Sequence, residues 1–353
     1  MRLAPSSQSR LEMLLKIPLI TTLLFVVVAC QQYPAEPYLQ LSGETMGTTW
    51  SVVVRSANAD NAAGLKQQLQ QQLDHINALM STYDPKSEVS RFNNQTSTDW
   101  FTVSEATLQV VELAQEVSEL TAGAFDITVA PLVELWGFGA TDRSRVPPSA
   151  DQVREVLTRV GYEQLHLRRH PAAISKKIPG LRIDLSAIAK GYAVDVLAAH
   201  LDQQGMDSYL VEVGGEMKMA GQRPDGTPWR IAIERPLDHI REVATVFPLT
   251  DTALATSGNY RNFYEIEGER YVHTIDPVSG SPIQHQLASA TVLDPSCARA
   301  DALATALMVM GEKRGQQFSE EHRIAAHFLI HNKTETSSYS SPFFLVLLEK
   351  EKP

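Results

Sequence analysis

Arg182-Ile-Asp184-Leu-Ser-Ala187-Ile-Ala-Lys190-Gly191 is the stretch around which the chain organises itself. Ile183 and Leu185 alternate with Arg182 and Asp184, which is the period of a strand. Small residues then open a helix, expected from about 186 to 204 and stopped by Gly205. A carboxylate at the passage from strand to helix, beside the free N–H groups of a first helical turn, makes a seat for an anion. Lys190 adds a point charge suited to phosphate. The same residues also read as a plain capped helix, with Asp184 or Ser186 as the cap and Lys190 in solvent.

Outward from this stretch, apolar spacing sets the remaining helices. Leu65, Leu69, Leu73, Ile76 and Met80 recur at helical intervals. Val110, Ala114, Val117 and Thr121 form a second such row, with Ser104 as its cap. Ser149 and Gln152 make a capping box ahead of Val153, Val156, Leu157 and Val160, with Gly161 as the stop. A last helix, over about 300–310, is apolar on nearly every face and therefore buried. Strands are expected at 50–55, 182–185, 209–213, 229–234, 243–249, 271–275, 289–293, 325–330 and 344–348. Helices inserted irregularly among so many strands imply one large α+β domain with mixed or antiparallel sheets. Pro147-Pro148 and Pro224-Asp225-Gly226 read as turns.

The chain has 353 residues, 43% apolar and 20% charged, which suits a folded protein. Its net charge of −10 opposes binding to a phosphate backbone through a basic surface. The N-terminus carries Arg2, Arg10 and Lys16 before the 13 apolar-rich residues 17–29. That run is short for a membrane span and right for the core of a signal peptide. It ends Val27-Val28-Ala29-Cys30, which resembles a bacterial lipobox, where the cysteine receives diacylglycerol. Residues 1–29 are thus expected to be a lipoprotein signal peptide, and 30–42, with Pro34 and Pro37, a tether from lipidated Cys30. Cys297 is the one other cysteine, so a lipidated Cys30 leaves it without a disulfide partner.

Further segments carry chemistry. Asp301 and Thr305 stand one helical turn apart and face the same way. A carboxylate beside a hydroxyl suits a hard cation such as Mg2+, and a buried Asp301 needs such a partner. The segment 123–139 ends a helix and opens a loop with Phe125, Trp136 and Phe138, able to hold a planar ring or to form an ordinary apolar corner. His273 precedes the turn Asp276-Pro277-Val-Ser-Gly280 and is a candidate acid or base. Gly214-Gly215 permits close backbone approach to a ligand. The chain has no G-x-x-x-x-G-K-[ST], no clustered Cys/His ligands and no G-x-S-x-G.

Taken in order, these segments resemble the ApbE-type FAD:protein FMN transferases, formerly called thiamine-biosynthesis lipoproteins. The matching stretches are Thr45–Thr48, Leu79–Asp84 with Ser90–Asn93, 123–139, Ile183–Tyr192, Val213–Gly215, Thr256–Arg261, His273–Gly280 and Asp301–Gly311. They span about residues 42–348, within an expected domain of 43–350. The resemblance implies a T-fold-like α+β domain with FAD bound between two parts. It implies Mg2+-dependent transfer of the FMN part of FAD to a threonine or serine hydroxyl of a target protein, with release of AMP. By matching position, the flavin dinucleotide would touch Met46, Tyr83, Ala124, Phe125, Asp126, Asp184, Lys190 and Ile275. Mg2+ would be held by the backbone carbonyl of Ala187 with Asp301 and Thr305, and His273 matches a histidine that assists transfer. The residue type at the position of Lys190 varies in the family.

The implied acceptors are subunits of the sodium-translocating NADH:quinone reductase and of Rnf-type complexes. These place the anchored enzyme on the periplasmic side of the inner membrane. Gln31 is not the aspartate linked to retention there, so the outer membrane stays open as well. Two other functions use the same residues: a Mg2+-dependent FAD diphosphatase, and a flavin-binding lipoprotein without catalysis.

Overall fold

The computed structural model describes residues 38–56, 61–140, 146–234, 243–259, 262–332 and 335–350. The elements begin with a hairpin of β1 (Tyr38–Thr45) and β2 (Thr48–Arg55), followed by α1 (Ala62–Met80) and α2 (Glu88–Asn94). Next come β3 (Phe101–Thr102), α3 (Glu105–Leu120), α4 (Ala130–Leu135) and α5 (Ala150–Leu157). β4 (Leu165–Arg168) and β5 (Ala173–Lys176) lead to α6 (Ala189–Gln203), β6 (Tyr209–Val213) and β7 (Glu216–Ala220). β8 (Trp229–Glu234), β9 (Val243–Leu249), β10 (Thr252–Gly258), β11 (Phe263–Ile266) and β12 (Glu269–Val272) follow. The chain closes with β13 (Leu287–Asp294), α7 (Cys297–Glu321), β14 (Ala325–Asn332), β15 (Glu335–Ser340) and α8 (Pro342–Lys350).

Eight strands make the main sheet in the order β1-β2-β6-β7-β10-β13-β14-β15, every neighbour antiparallel. Period-two side chains give this sheet two apolar faces. Ala253 and Ala255 of β10 join the larger core, under α1, α3, α6 and α7, whereas Leu254 between them joins a smaller core. That second core is closed by the β8–β9 ribbon and by Phe344 of α8. Trp50, Val52 and Val54 of β2 face the helical side and are fully buried. Each such side chain stabilises the fold by about 1.5–3 kcal/mol through removal from water.

Helices α3 and α5 form where their caps place them, whereas the helix expected from about 186 begins at Ala189 without a side-chain cap. Ser104 accepts from the Thr107 N–H at the start of α3, and the Ser149/Gln152 capping box opens α5. Gly205, with φ of 74°, follows the end of α6. The helix expected at 300–310 begins at Cys297 and continues beyond a break at Gly311, whose φ of 75° and ψ of 177° suit only glycine.

Four expectations are corrected. Residues 182–185 are extended but join no ladder. Their backbone is served by the Asn93 side chain, which accepts from the Ile183 N–H at 2.7 Å and donates to the Ile183 carbonyl at 2.8 Å. The Asp184 N–H donates to the Ile127 carbonyl. The apolar run 344–348 lies in helix α8, not a strand. Ser341 accepts from the Phe344 N–H and Pro342 takes the first helical position, a start signal that outweighs the β-like composition. Tyr38–Ser42, assigned to the tether, are the first residues of β1, paired with β2. Likewise β12 ends at Val272, and Ile275 makes only an isolated bridge to Pro282.

Residues 1–29, Cys30 and the rest of the tether to Pro37 lie outside the described residues, as do Tyr260 and Arg261. Among the described residues, no helix is long and apolar enough to cross a membrane.

Candidate functional site

A cavity of about 1130 Å3 opens where the β1–β2 turn, the N-terminal turn of α6 and the first turns of α7 meet. Its size lies just above the usual range for small-molecule sites and leaves room for a large ligand. Met46, Tyr83, Ala124, Phe125, Asp126, Asp184, Ala187, Lys190, Ile275, His273, Asp301 and Thr305 all line it. The structure thus gathers into one wall system every expected site residue except Cys30, which is not described.

Each reaches the cavity for a local reason. Met46 and Gly47 form the hairpin turn with φ of 49° and 71°, the left-handed pair that a tight two-residue turn demands. Ala122 and Gly123, with φ of 50° and 81°, reverse the chain after α3 and deliver Ala124–Asp126. Asp126 is buried, and both its oxygens are engaged: Oδ1 accepts from the Thr128 N–H and hydroxyl, Oδ2 from the Tyr162 N–H. Burial nevertheless raises its pKa to about 6. Burial also raises Asp184, whose Oδ1 accepts from the Ser186 N–H. Asp184 therefore closes a local turn; it does not cap α6. Tyr83 is 71% exposed and stands at the mouth.

The partner for the α6 end comes from far along the chain. Asp301, 3% exposed on α7, accepts from the Gly191 N–H at 3.2 Å. In return Asp195 of α6 accepts from the Cys297 and Ala298 N–H groups that open α7. The two helices cap one another where they cross. Gly191 makes this possible, because a Cβ there would lie 2.4 Å from the Cys297 carbonyl oxygen.

Charge is concentrated in this wall. Lys190 Nζ donates to Glu216 Oε1 at 2.9 Å and lies 3.7 Å from Asp301 Oδ2. Burial works against the Lys190 charge, yet Asp301 and Glu216 hold its pKa above the usual lysine value. Burial raises Asp301, and it raises Glu216 to about 7 against the pull of Lys190. Glu216 Oε2 is buried with no hydrogen-bond partner among the described residues. One turn on from Asp301, the Thr305 hydroxyl pairs with the Ser257 hydroxyl at 3.0 Å. Carboxylate, hydroxyl and carbonyl oxygens are the donors a hard cation prefers. No group of three or more His, Cys, Asp or Glu that could hold a metal ion occurs among the described residues.

Across the cavity lining, His273 Nδ1 lies 3.2 Å from the Asn262 carbonyl. A carbonyl only accepts, so Nδ1 carries the proton and Nε2 of the neutral ring is left as a base. Burial lowers the His273 pKa, which keeps the ring neutral. Phe138 meets the imidazole edge-on, and it belongs to a row of stacked rings running through Tyr264 and Tyr271 to Trp136. Trp136 in turn donates to the Gly280 carbonyl at 2.8 Å. The aromatic loop thus fixes the segment that carries His273.

Glu216 and Ser257 are the site residues that sequence reasoning passed over. Gly214-Gly215 drew attention to close backbone approach, and the acid one position later was the available signal.

Known proteins resemble this chain over most of its length. The model of the ApbE family matches residues 46–328. A protein of Vibrio cholerae serotype O1 named FAD:protein FMN transferase is 44% identical over 328 residues, covering 93% of this chain and 97% of its own. A protein of the same name from Escherichia coli K12 is 37% identical, covering 96% and 98%. Among solved structures, the flavin transferase ApbE from Vibrio cholerae superposes with a TM-score of 0.80 at 42% identity, over 88% of this chain and 99% of that one. The apo flavinyl transferase ApbE from Pseudomonas stutzeri gives 0.81 at 37% identity, over 88% and 97%.

Proposed function

The chain belongs to the ApbE family, and on that premise we propose that it moves the FMN part of FAD onto a threonine or serine hydroxyl of a protein. One observation carries this reading. A large cavity joins an oxygen-rich acidic wall to a histidine whose Nε2 is free to take a proton.

Asp301, Thr305 and the backbone carbonyl of Ala187 would hold Mg2+. The fit is supported by an all-oxygen donor set, by the burial of Asp301, and by two carboxylates facing one ammonium in the same wall. Held there, Mg2+ would supply charge neutralisation at the pyrophosphate and at the leaving group. The protein's own residues align and deprotonate. The acceptor hydroxyl attacks the FMN-side phosphorus, a new P–O bond forms, and the bond to the bridging oxygen breaks, so that AMP departs with that oxygen. His273 Nε2 takes the hydroxyl proton. Asp276 is the weaker candidate for this role, since its oxygens accept from the Val278 and Ser279 N–H groups.

The lipobox supports anchoring through Cys30 on the periplasmic side of the inner membrane. There the flavin-bearing subunits of sodium-translocating NADH:quinone reductase and Rnf-type complexes are the acceptors we assign.

The test is mass spectrometry of a threonine-containing acceptor segment after incubation with the protein, FAD and Mg2+. The expected outcome is a mass increment of one phosphoester-linked FMN and one AMP per modified peptide. Steady AMP release with an unmodified peptide would replace transfer by hydrolysis. Bound FAD with no AMP under any condition would leave a flavin carrier.

A further inference from the structure

Lys190 stands between two acids, but unevenly. Its Nζ makes a hydrogen bond of 2.9 Å to Glu216 Oε1 and only a 3.7 Å charge contact to Asp301 Oδ2. Asp301 Oδ2 takes its hydrogen bond from the Gly191 backbone instead. Glu216 is 3% exposed, lines the same cavity, and has a role in none of the transfer steps above. A buried carboxylate with one oxygen unpartnered is costly, and it is retained in the wall that faces the substrate.

We propose that Glu216 is a positioning residue that anchors the Lys190 ammonium away from Asp301, keeping that carboxylate open to a divalent cation. The inference rests on the cation assignment at Asp301 made above. Its physical basis is competition. An ammonium and a dication seek the same carboxylate, and Lys190 has a flexible stem that already brings it within 3.7 Å. Without a stronger acceptor the ammonium closes on Asp301, and an incoming cation must break a buried ion pair first. Glu216 holds the ammonium because its Oε1 sits at charge-assisted hydrogen-bond distance, 2.9 Å against 3.7 Å, while Asp301 Oδ2 already accepts from the Gly191 N–H. Glutamine has the shape to accept from Lys190 but lacks the charge to hold it.

A different role for Glu216, direct ligation of the cation through Oε2, makes the opposite forecast in a double variant. Mn2+ binding to the full chain in detergent, without FAD, reads this directly through loss of the free-ion paramagnetic resonance signal. Cooperative thermal unfolding checks that each variant is folded. Glu216→Gln should weaken Mn2+ binding about tenfold, the effect of one charged hydrogen bond gained by the competitor. Lys190→Met should tighten it relative to the unsubstituted protein. Glu216→Gln combined with Lys190→Met should recover most of the loss, since no ammonium then competes.

A double variant as weak as Glu216→Gln alone overturns the proposal and makes Glu216 a ligand. Should Glu216→Gln fail to fold, Glu216→Ala takes its place in the same pair: recovery on adding Lys190→Met upholds the anchor, and no recovery overturns it. Asp301→Ala separates the two layers. If the unsubstituted protein binds no Mn2+, or binds it equally well with Asp301→Ala, the cation assignment itself falls and takes this inference with it.

Discussion

His273 gains its chemical meaning from one backbone carbonyl. Asn262 engages Nδ1, burial disfavours the imidazolium, and Nε2 is left to accept a proton. His273→Ala should therefore slow FMN transfer by about 10²- to 10⁴-fold while FAD affinity, read by flavin fluorescence, stays unchanged. Lost FAD binding instead would make the ring a wall of the pocket and nothing more. The candidate was legible in the sequence as a lone histidine before a Pro-containing turn; its tautomer was not, because Asn262 approaches only through the fold. Glu216 shows the limit more sharply. Its neighbours Gly214 and Gly215 carry a local signal, whereas the meaning of the acid depends on Lys190 and Asp301, which periodicity cannot connect to it.

Helices α6 and α7 form the working core of the site because each supplies the acceptor that the other's first turn lacks. Gly191→Ala drives a methyl into the Cys297 carbonyl and separates them. The expected cost is about 1–3 kcal/mol from overpacking, read as a lower urea midpoint, together with weakened Mn2+ binding as Asp301 loses its donor. A midpoint equal to that of the unsubstituted protein would refute the close crossing. On the opposite sheet face, β14 carries a buried His327, stacked on Phe344 and edge-on to Phe247, with Nδ1 paired to the Ser340 hydroxyl. Burial lowers its pKa to about 4. Below the ordinary imidazole value the unfolded chain takes up a proton that the folded chain refuses. Stability is then complete above about pH 6.5 and declines toward pH 4 by about 3 kcal/mol. His327→Gln should flatten that decline in melting temperature against pH. Element types followed the same division between near and far. Helices α1, α3 and α5 were legible because their apolar spacing, and for α3 and α5 their caps, lie within the segment. The run 344–348 was misread because its composition favours strand while its start signal sits just upstream, at Ser341 and Pro342.

The proposed anchor and the proposed catalytic wall lie far apart in sequence: a cysteine at position 30 and a cavity lining assembled from residues 46 to 309. Cys30→Ala should move the protein from the membrane to the soluble fraction, with transfer to a soluble acceptor segment unimpaired. Membrane retention in that variant would point to an uncleaved N-terminal anchor. The net charge of −10 gives no general attraction to anionic lipid, so the proposed membrane attachment rests on Cys30.

Local order alone specified the apolar stripes, the caps of α3 and α5 and the residues with reactive side chains. Those properties reside in spacing and in near neighbours, where propensity and capping act. Strand order, the mutual capping of α6 and α7, the substitution of Asn93 for a strand partner and the uneven sharing of Lys190 were decided only once the chain had folded. Each of these joins groups distant in sequence, and their energies arise from burial and charge pairing that do not exist until the core has closed around them.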